Sequence, residues 1–139
     1  MSDPRPQTLL THDWTMGYPM TLRSVRLARL HVRRRLTMWS WPGDIEDAVL
    51  VTSELVANAV VHGSIPGHEL RLSIVELDNN ALSIEVSDPV LAFPEVRSRD
   101  LSERGRGLIV VRQLAHSLDW YLRASVGKTV RARLHLRDG

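Results

Sequence analysis

The feature that most constrains the fold of this chain is a pair of neighbouring segments in which apolar and polar residues alternate. Over residues 69–77 and 81–86 the apolar side chains fall at every second position, namely Leu70, Leu72, Ile74, Leu82, Ile84 and Val86. The segments are separated by Asp78-Asn79-Asn80, a composition that favours a tight turn. Because successive strand residues point to opposite faces, this pattern predicts an antiparallel hairpin with one buried face.

Similar patterns predict the remaining elements. Alternation predicts a first strand over residues 8–16 and a second hairpin over 120–124 and 129–136, turning at Val126-Gly127-Lys128. Helical spacing predicts helices over residues 21–39, 44–62 and 107–118. The first helix is predicted to bury Leu22, Val25, Val32 and Leu36. Asp44 is predicted to cap the second helix, with Asp47 in its first turn and Gly63 at its end.

The order of these elements predicts the fold class. Strand, helix, helix, two strands, a long polar segment, helix and two strands indicate an α+β fold, a two-layer sandwich in which three helices cover one face of a mostly antiparallel sheet. No repeat or Gly/Ser linker divides the 139 residues, so one domain over 1–139 is expected, with about 8–136 structured. The polar segment over residues 88–105 contains Pro89 and Pro94 and is predicted to be a functional loop or lid.

Composition excludes several classes of protein. The chain has no cysteine, which rules out disulfides and thiolate metal sites. It has neither a signal-peptide core nor an apolar run long enough for a membrane span, so a cytoplasmic protein without membrane contact is expected. Of its 18 basic residues, Lys128 is the sole lysine and the other 17 are arginines. A net charge of +2 does not by itself indicate a nucleic-acid partner.

Three polar residues share a face of the second predicted helix. Glu54, Asn58 and His62 recur at intervals of four, among apolar neighbours. A carboxylate can accept a proton and an amide oxygen is a suitable Mg²⁺ ligand, so the set is suited to phosphate chemistry. The alternative is a solvent-facing stripe, in which His62 only caps the end of the helix.

Two further positions suit a ligand. Asp88 ends a predicted strand, where a side chain can project into a crevice, although an aspartate before Pro89 also commonly starts a turn. The glycines at Gly105 and Gly107 come immediately before an apolar helix. Glycine allows close backbone approach, and the amides of a helix N-terminus bind anions. Glycines also occur simply where loops end.

In order and spacing these motifs resemble those of a known superfamily. Glu54, Asn58 and His62-Gly63, then Asp88 with Pro94, then Gly105-Arg106-Gly107-Leu108, and finally Thr129 resemble the N box, G1 box, G2 box and terminal threonine of the histidine-kinase-like (GHKL) ATPases. The resemblance covers about residues 8–136. The runs Thr52-Ser53-Glu54-Leu55-Val56-Ala57-Asn58-Ala59 and Glu103-Arg104-Gly105-Arg106-Gly107-Leu108 are most similar to the short anti-sigma-factor serine/threonine kinases.

The resemblance implies a fold, ligands and a role for each motif residue. It implies the Bergerat ATP-binding fold, with ATP and Mg²⁺ as cofactors. Glu54 would be the catalytic base, Asn58 the Mg²⁺ ligand, and Asp88 the acceptor for the adenine amino group, assisted by Thr129. The amides of Gly105 and Gly107 would bind the phosphates, and Arg104 or Arg106 would add positive charge. The cofactor-binding residues would also include His62 and Leu108.

The same resemblance implies partners. A sigma factor and an anti-anti-sigma protein of the STAS type are expected, the latter as the substrate for phosphorylation. A homodimer is a further expectation, and direct contact with nucleic acid is not expected.

One departure from the family pattern keeps a second function open. The family's G1 box has glycine two residues after the aspartate, whereas this chain has Pro89 and Val90. The alternative is therefore a non-catalytic partner-binding protein with the same fold and weak or lost nucleotide binding. A nucleic-acid binder using the arginines of residues 23–35 is disfavoured by the few aromatics. Leu122 stands where a P-loop would have a glycine, which disfavours a P-loop enzyme. The histidines never recur at i, i+4, which disfavours a zinc hydrolase.

Overall fold

The computed structural model describes residues 10–63, 65, 67–89, 103–122 and 127–136. Within these residues the chain forms five strands and three helices in the order β1, α1, α2, β2, β3, α3, β4, β5. The strands are β1 (Leu10–Pro19), β2 (Glu69–Leu77), β3 (Leu82–Asp88), β4 (Ser117–Leu122) and β5 (Lys128–Leu134). The helices are α1 (Leu22–Met38), α2 (Ile45–Gly63) and α3 (Glu103–Leu114).

The strands form one antiparallel sheet in the order β1-β2-β3-β5-β4. One face of the sheet is buried together with the inner sides of the three helices. The core includes Ile74, Ile84, Val86, Val130 and Ala132 from the strands, and Val32, Leu36, Leu55, Leu108 and Val111 from the helices. The predicted α+β sandwich with helices on one face of a mostly antiparallel sheet is therefore confirmed.

The first predicted hairpin is present, with β2 and β3 antiparallel. Ile74 of β2 lies opposite Ile84 of β3, and both are fully buried. In the turn, the Asn79 side chain accepts a hydrogen bond from the Ala81 amide at 3.1 Å. Asn80 has a φ of 64°, a left-handed conformation that asparagine tolerates better than most residues. The turn chemistry read from the sequence thus fixes the register of the two central strands.

Helix α1 buries Val32 and Leu36 as predicted, but not Leu22. Its buried residues are Ser24, Ala28, Val32 and Leu36, spaced four apart. Leu22, predicted to be in the core, is 71% exposed. Leu22 is the first residue of the helix, where fewer neighbouring elements can cover a side chain, whereas Val25 packs against the core one turn later. Ser24 can be buried because its hydroxyl donates a hydrogen bond to the Pro19 carbonyl oxygen.

The start and end of α2 agree with the sequence prediction. The Asp44 carboxylate accepts a hydrogen bond from the Asp47 amide at 3.0 Å, which is the geometry of an N-cap. The helix then continues to Gly63. Thr52 is fully buried inside it because its hydroxyl donates to the Ala48 carbonyl oxygen at 2.8 Å.

The predicted boundaries between α3 and β4 are wrong. The helix was predicted over residues 107–118 and spans Glu103–Leu114, whereas the strand was predicted from residue 120 and begins at Ser117. The His116 amide donates to the Arg133 carbonyl oxygen at 2.7 Å, so pairing with β5 begins directly after the helix. Leu118 fits a helical spacing in the sequence, yet it lies opposite Ala132 in the sheet. Sheet pairing overrides the local pattern here.

Strand β1 extends beyond the predicted residue 16 to Pro19. Tyr18 pairs with Leu70 and is 1% exposed, and its hydroxyl lies 2.6 Å from His31 Nδ1. Burial raises the pKa of Tyr18 to about 12. Most of the predicted lid, residues 90–102, lies outside the described residues. Within the described ranges, no helix is both long and apolar enough to cross a membrane.

Candidate functional site

Helix α2 runs in the same direction as β3. Trp41, just before the helix, donates a hydrogen bond from its indole Nε1 to the Asn80 carbonyl oxygen at 2.9 Å. Asn80 lies in the turn that leads into β3. The helix and the strand therefore start at the same end of the molecule. The later turns of α2, which carry Asn58 and His62, extend toward the end of β3 that carries Asp88.

Helix α3 runs in the opposite direction. Its last residue, Leu114, lines a groove with Trp41 and Asp44 at the start of α2 and with Leu134 and His135 at the end of β5. Because α3 has 12 residues and both helices rise equally per residue, its first turn lies roughly level with Asn58. Three parts of the chain that are far apart in sequence thus converge at one end of the sandwich.

A buried ion pair links β3 and β5 at that end of the sheet. Lys128 and Asp88 lie directly opposite each other on β5 and β3. The Lys128 Nζ atom lies 2.9 Å from both oxygens of Asp88. The two side chains are 2% and 1% exposed, so they face the helix-covered side of the sheet. Both residues also have interactions beyond this pair.

Sequence reasoning missed the role of Lys128. It identified Asp88 as a site residue, but it placed Lys128 in the turn of the second hairpin and gave it no role in the site. The available signal was that the sole lysine of an arginine-rich chain stands at the start of a strand in the second hairpin. Since lysine is rarely buried without a partner, that position predicts an acidic neighbour. The neighbour itself depends on a strand register that joins residues 40 positions apart.

Gly127 allows β5 to approach the end of β3. It has a φ of 75°, and a Cβ atom added there would lie 1.8 Å from the Asp88 carbonyl oxygen. A side chain is therefore excluded both by backbone conformation and by space. The glycine holds the backbone of Lys128 close enough for its side chain to reach Asp88.

The Thr129 side chain is on the opposite face of the sheet from Asp88. Its Oγ1 shares a hydrogen bond with the Ser87 hydroxyl at 2.7 Å. Adjacent strand residues point to opposite faces, so Lys128, and not Thr129, projects beside Asp88. The structure therefore does not bring together the side chains of Asp88 and Thr129, which were predicted to act jointly.

The predicted stripe on α2 is present and becomes more exposed along the helix. Glu54 and Asn58 are half-buried and His62 is exposed, while Leu55 and Ala59 beside them lie in the core. An amide and a carboxylate one turn apart present three oxygen atoms to a ligand, of the type that Mg²⁺ prefers.

The glycine-containing segment lies within α3 and not before it. Residues 103–107 form the first turns of the helix, so Arg104, Gly105, Arg106 and Gly107 are helical, whereas a loop was predicted. The side chains of these residues lie outside the described part of the structure. Leu108 is 1% exposed and anchors the helix in the core. A helix start at this position can offer backbone amides to an anion.

Comparisons with known proteins agree with this architecture. A family model described as a histidine kinase-like ATPase domain matches residues 18–134. The solved structure of the RsbU and RsbW domains of Rv1364c from Mycobacterium tuberculosis has a TM-score of 0.69 and 19% identity, over 93% of this chain and 34% of that one. The SiaB-SiaC complex from Pseudomonas aeruginosa has a TM-score of 0.64 and 15% identity, over 87% and 88%.

These structural likenesses concern the fold. At such identities they do not carry activity across, and this chain spans about a third of the length of the Mycobacterium tuberculosis chain it matches. A sequence comparison with curated proteins finds no significant match.

Proposed function

Because this chain belongs to the histidine kinase-like ATPase domain family, we propose that it is an ATP-binding regulatory protein that acts as a serine/threonine kinase and anti-sigma factor. The observation that carries the proposal is the convergence of the later turns of α2, the start of α3 and the Asp88 end of β3. Residues suited to binding a metal, phosphate and a nucleobase lie on three elements that meet at one end of the fold.

Each element has its own part in the proposed site. Asn58 would hold Mg²⁺, and the first turn of α3, which includes Gly105, would direct its free backbone amides to the phosphates. When bound, Mg·ATP supplies the phosphoryl group and neutralises part of its charge. Glu54, one turn before Asn58, would accept the proton of the attacking hydroxyl. Asp88 would accept a hydrogen bond from the amino group of the adenine base.

Other predicted site residues have supporting roles in this proposal. Arg104 and Arg106 would add positive charge to the first turn of α3, and this charge would strengthen the binding of phosphate there. His62 lies one turn beyond Asn58, at the exposed end of the stripe. Thr129 would contribute to the site only through its backbone in β5, since its side chain is hydrogen-bonded to Ser87.

The proposed partners follow from the neighbours and from the surface of α1. The two similar solved structures contain RsbU and RsbW domains in one case and a complex of SiaB with SiaC in the other. They support a STAS-type protein as the substrate here, with a sigma factor as the second partner. Helix α1 has six arginines and no acidic residue, which suits an acidic partner: Arg23, Arg26, Arg29, Arg33, Arg34 and Arg35. A homodimer and a cytoplasmic setting complete the proposal.

A second function is favoured by one specific observation. The Asp88 carboxylate is already bound by Lys128 on both oxygens. If the pair excludes nucleotide altogether, the chain acts as a non-catalytic protein that captures its partner. Absence of phosphoryl transfer, together with retained partner binding, would favour this alternative.

The experiment that tests the kinase proposal is transfer of the γ-phosphate from labelled Mg·ATP to a STAS-type partner. Glu54→Gln keeps the size of the side chain and removes the proposed base, so it should abolish transfer and leave nucleotide binding intact. Asn58→Ala should abolish transfer and weaken nucleotide binding by about tenfold or more. Transfer by Glu54→Gln at the parent's rate would contradict the assignment of the base.

A further inference from the structure

Strand β1 is a terminal strand of the sheet that the described residues form. It pairs with β2 in a regular antiparallel register from His12 to Pro19. Because the residues of such a strand direct their N–H and C=O groups alternately to its two sides, every second residue of β1 directs them away from β2. None of the described strands pairs with this outer edge. An edge of this kind can accept a further strand.

A groove lies between β1 and α1. It has a volume of about 170 Å³ and is lined by Trp14 and Met16 of β1 and by His31, Arg34 and Arg35 of α1. Trp14 and Met16 are two residues apart on the strand, so both project from the face that the helices cover. Met16 is 40% exposed. The groove therefore has apolar side chains from the strand and a cationic wall from the helix.

The two arginines of the groove are placed to bind a carboxylate. Arg34 is exposed, and no carboxylate in the described part of the chain pairs with it. The Arg35 guanidinium lies 5.6 Å from the centre of the Trp14 ring, and such stacking leaves the N–H groups at its edge available to an acceptor. Arg33, by contrast, is paired with Glu46 of α2. The charge of the groove is thus positive.

An extended acidic peptide matches both the edge and the groove. Its backbone can pair with the outer edge of β1, and its alternate side chains then project toward α1. Carboxylates among those side chains would meet Arg34 and Arg35. We propose that β1 and α1 form a docking surface for an acidic extended segment of a partner protein, which adds to the sheet as a further strand. The inference rests on the proposed partner-binding function, names its surface and does not involve the nucleotide site.

A second copy of this chain fits the surface poorly. Pairing two β1 strands edge to edge would bring Arg34 and Arg35 toward the same residues of the second copy, and like charges across an interface are unfavourable. Helix α1 has no acidic residue that could offset them. A nucleic acid would satisfy the arginines but has no peptide backbone to pair with β1. An acidic extended segment satisfies both.

Fluorescence anisotropy of a synthetic peptide, titrated with the full chain in the absence of nucleotide, tests the charge requirement. The probe is a short fluorescein-labelled peptide in which glutamate alternates with threonine. Arg34→Gln should weaken its binding by about tenfold without lowering the melting temperature. Arg29→Gln is the matched control, because Arg29 is also exposed on α1 but lies near Glu46 of α2. Equal weakening in the two variants would overturn the inference.

Amide hydrogen exchange separates strand addition from simple attraction between charges. Addition gives the outward amides of β1 new acceptors, so their exchange should slow at saturating peptide. The amides of β4, the other terminal strand, should exchange as before. Unchanged exchange in β1, or protection of β4 instead, would overturn the inference.

Sedimentation of the parent with and without the peptide tests the competing occupant. A dimer that separates into monomers as the peptide binds would show that a second copy occupies the edge, and it would overturn the inference. Failure of the parent to bind the peptide at millimolar concentration would also overturn it, and the proposed nucleotide binding would stand. Peptide binding as described, by a chain that binds no ATP, would support the docking surface and contradict the nucleotide site alone.

Discussion

Trp41 donates a hydrogen bond to the carbonyl oxygen of Asn80 at 2.9 Å, and this contact aligns the start of α2 with the start of β3. Trp41 is 4% exposed, so the indole donor is shielded from water. Gly43 lies against the ring, where a Cβ atom would come within 2.3 Å of it. The direction of α2, and with it the position of Asn58, depends on this corner.

Trp41→Phe should lower the free energy of unfolding by about 1–3 kcal/mol, because it removes the donor and leaves the Asn80 carbonyl unsatisfied. Trp41→Ala should cost about 3–5 kcal/mol, since it also leaves a cavity. Urea unfolding measures both. Equal stability of the parent and Trp41→Phe would show that the hydrogen bond does not fix this corner.

Gly127→Ala should destabilise the protein strongly, because its Cβ would overlap the Asp88 carbonyl oxygen and its φ of 75° disfavours a side chain. Gly67 is a matched control, since it has a φ of 82° but no atom within 4 Å of an added Cβ. Gly67→Ala should cost only about 1 kcal/mol. Melting temperatures that fall equally in the two variants would contradict the close approach of β5 to β3.

Breaking the buried ion pair should cost far more than breaking an exposed one. Lys128→Met leaves the Asp88 carboxylate buried without its cation, so a loss of about 3–5 kcal/mol is expected. The control is the surface pair in which Arg33 holds Glu46 at 2.9 Å. Glu46→Gln should have little effect, because an exposed ion pair contributes little to stability. Equal effects in denaturant titrations would mean that Lys128 and Asp88 are not paired in solution.

The stacked rings of His116 and His135 predict a dependence of stability on pH. The centroids of the two rings are 3.9 Å apart. Partial burial lowers the pKa of His135 below its usual value of 6.5, and the nearby charges of His116 and Arg133 lower it further. Because the unfolded chain binds the proton more readily, stability from this group is present above about pH 6.5 and is lost as the pH falls.

The expected pH effect is small, since both rings are exposed to solvent. Melting temperatures measured from pH 7.5 down to 5.5 should fall less steeply for His135→Asn than for the parent. His68→Asn serves as the control, because His68 is exposed and outside the stacked pair. Parallel curves for the parent and His135→Asn would rule out this contribution.

The parts of the fold that the sequence predicted well are those set by local chemistry. The turn at Asn79 and Asn80 and the cap at Asp44 were predicted correctly because each depends on hydrogen bonds within a few residues. The end of α3 was not, because Leu118 fits a helical pattern and is drawn into β4 by pairing with β5. Sheet pairing between distant segments is not visible in local periodicity.

The candidate site shows the same limit. The spacing of Glu54, Asn58 and His62 is a property of one helix, and the structure retains it. The partner of Asp88 is decided by the register of β3 against β5, in which a shift by one residue would place Thr129 beside it instead of Lys128. The sequence identifies the acidic residue, but only the register identifies its partner.

The central claim is that the end of the sandwich where α2, α3 and β3 converge binds a nucleotide through Mg²⁺. Calorimetric titration of ATP into the parent and into Asn58→Ala, with and without Mg²⁺, tests it most directly. We predict binding to the parent that requires Mg²⁺ and is weakened by about tenfold or more in Asn58→Ala. Binding that is independent of both Mg²⁺ and Asn58, or no binding to the parent at all, would contradict the claim.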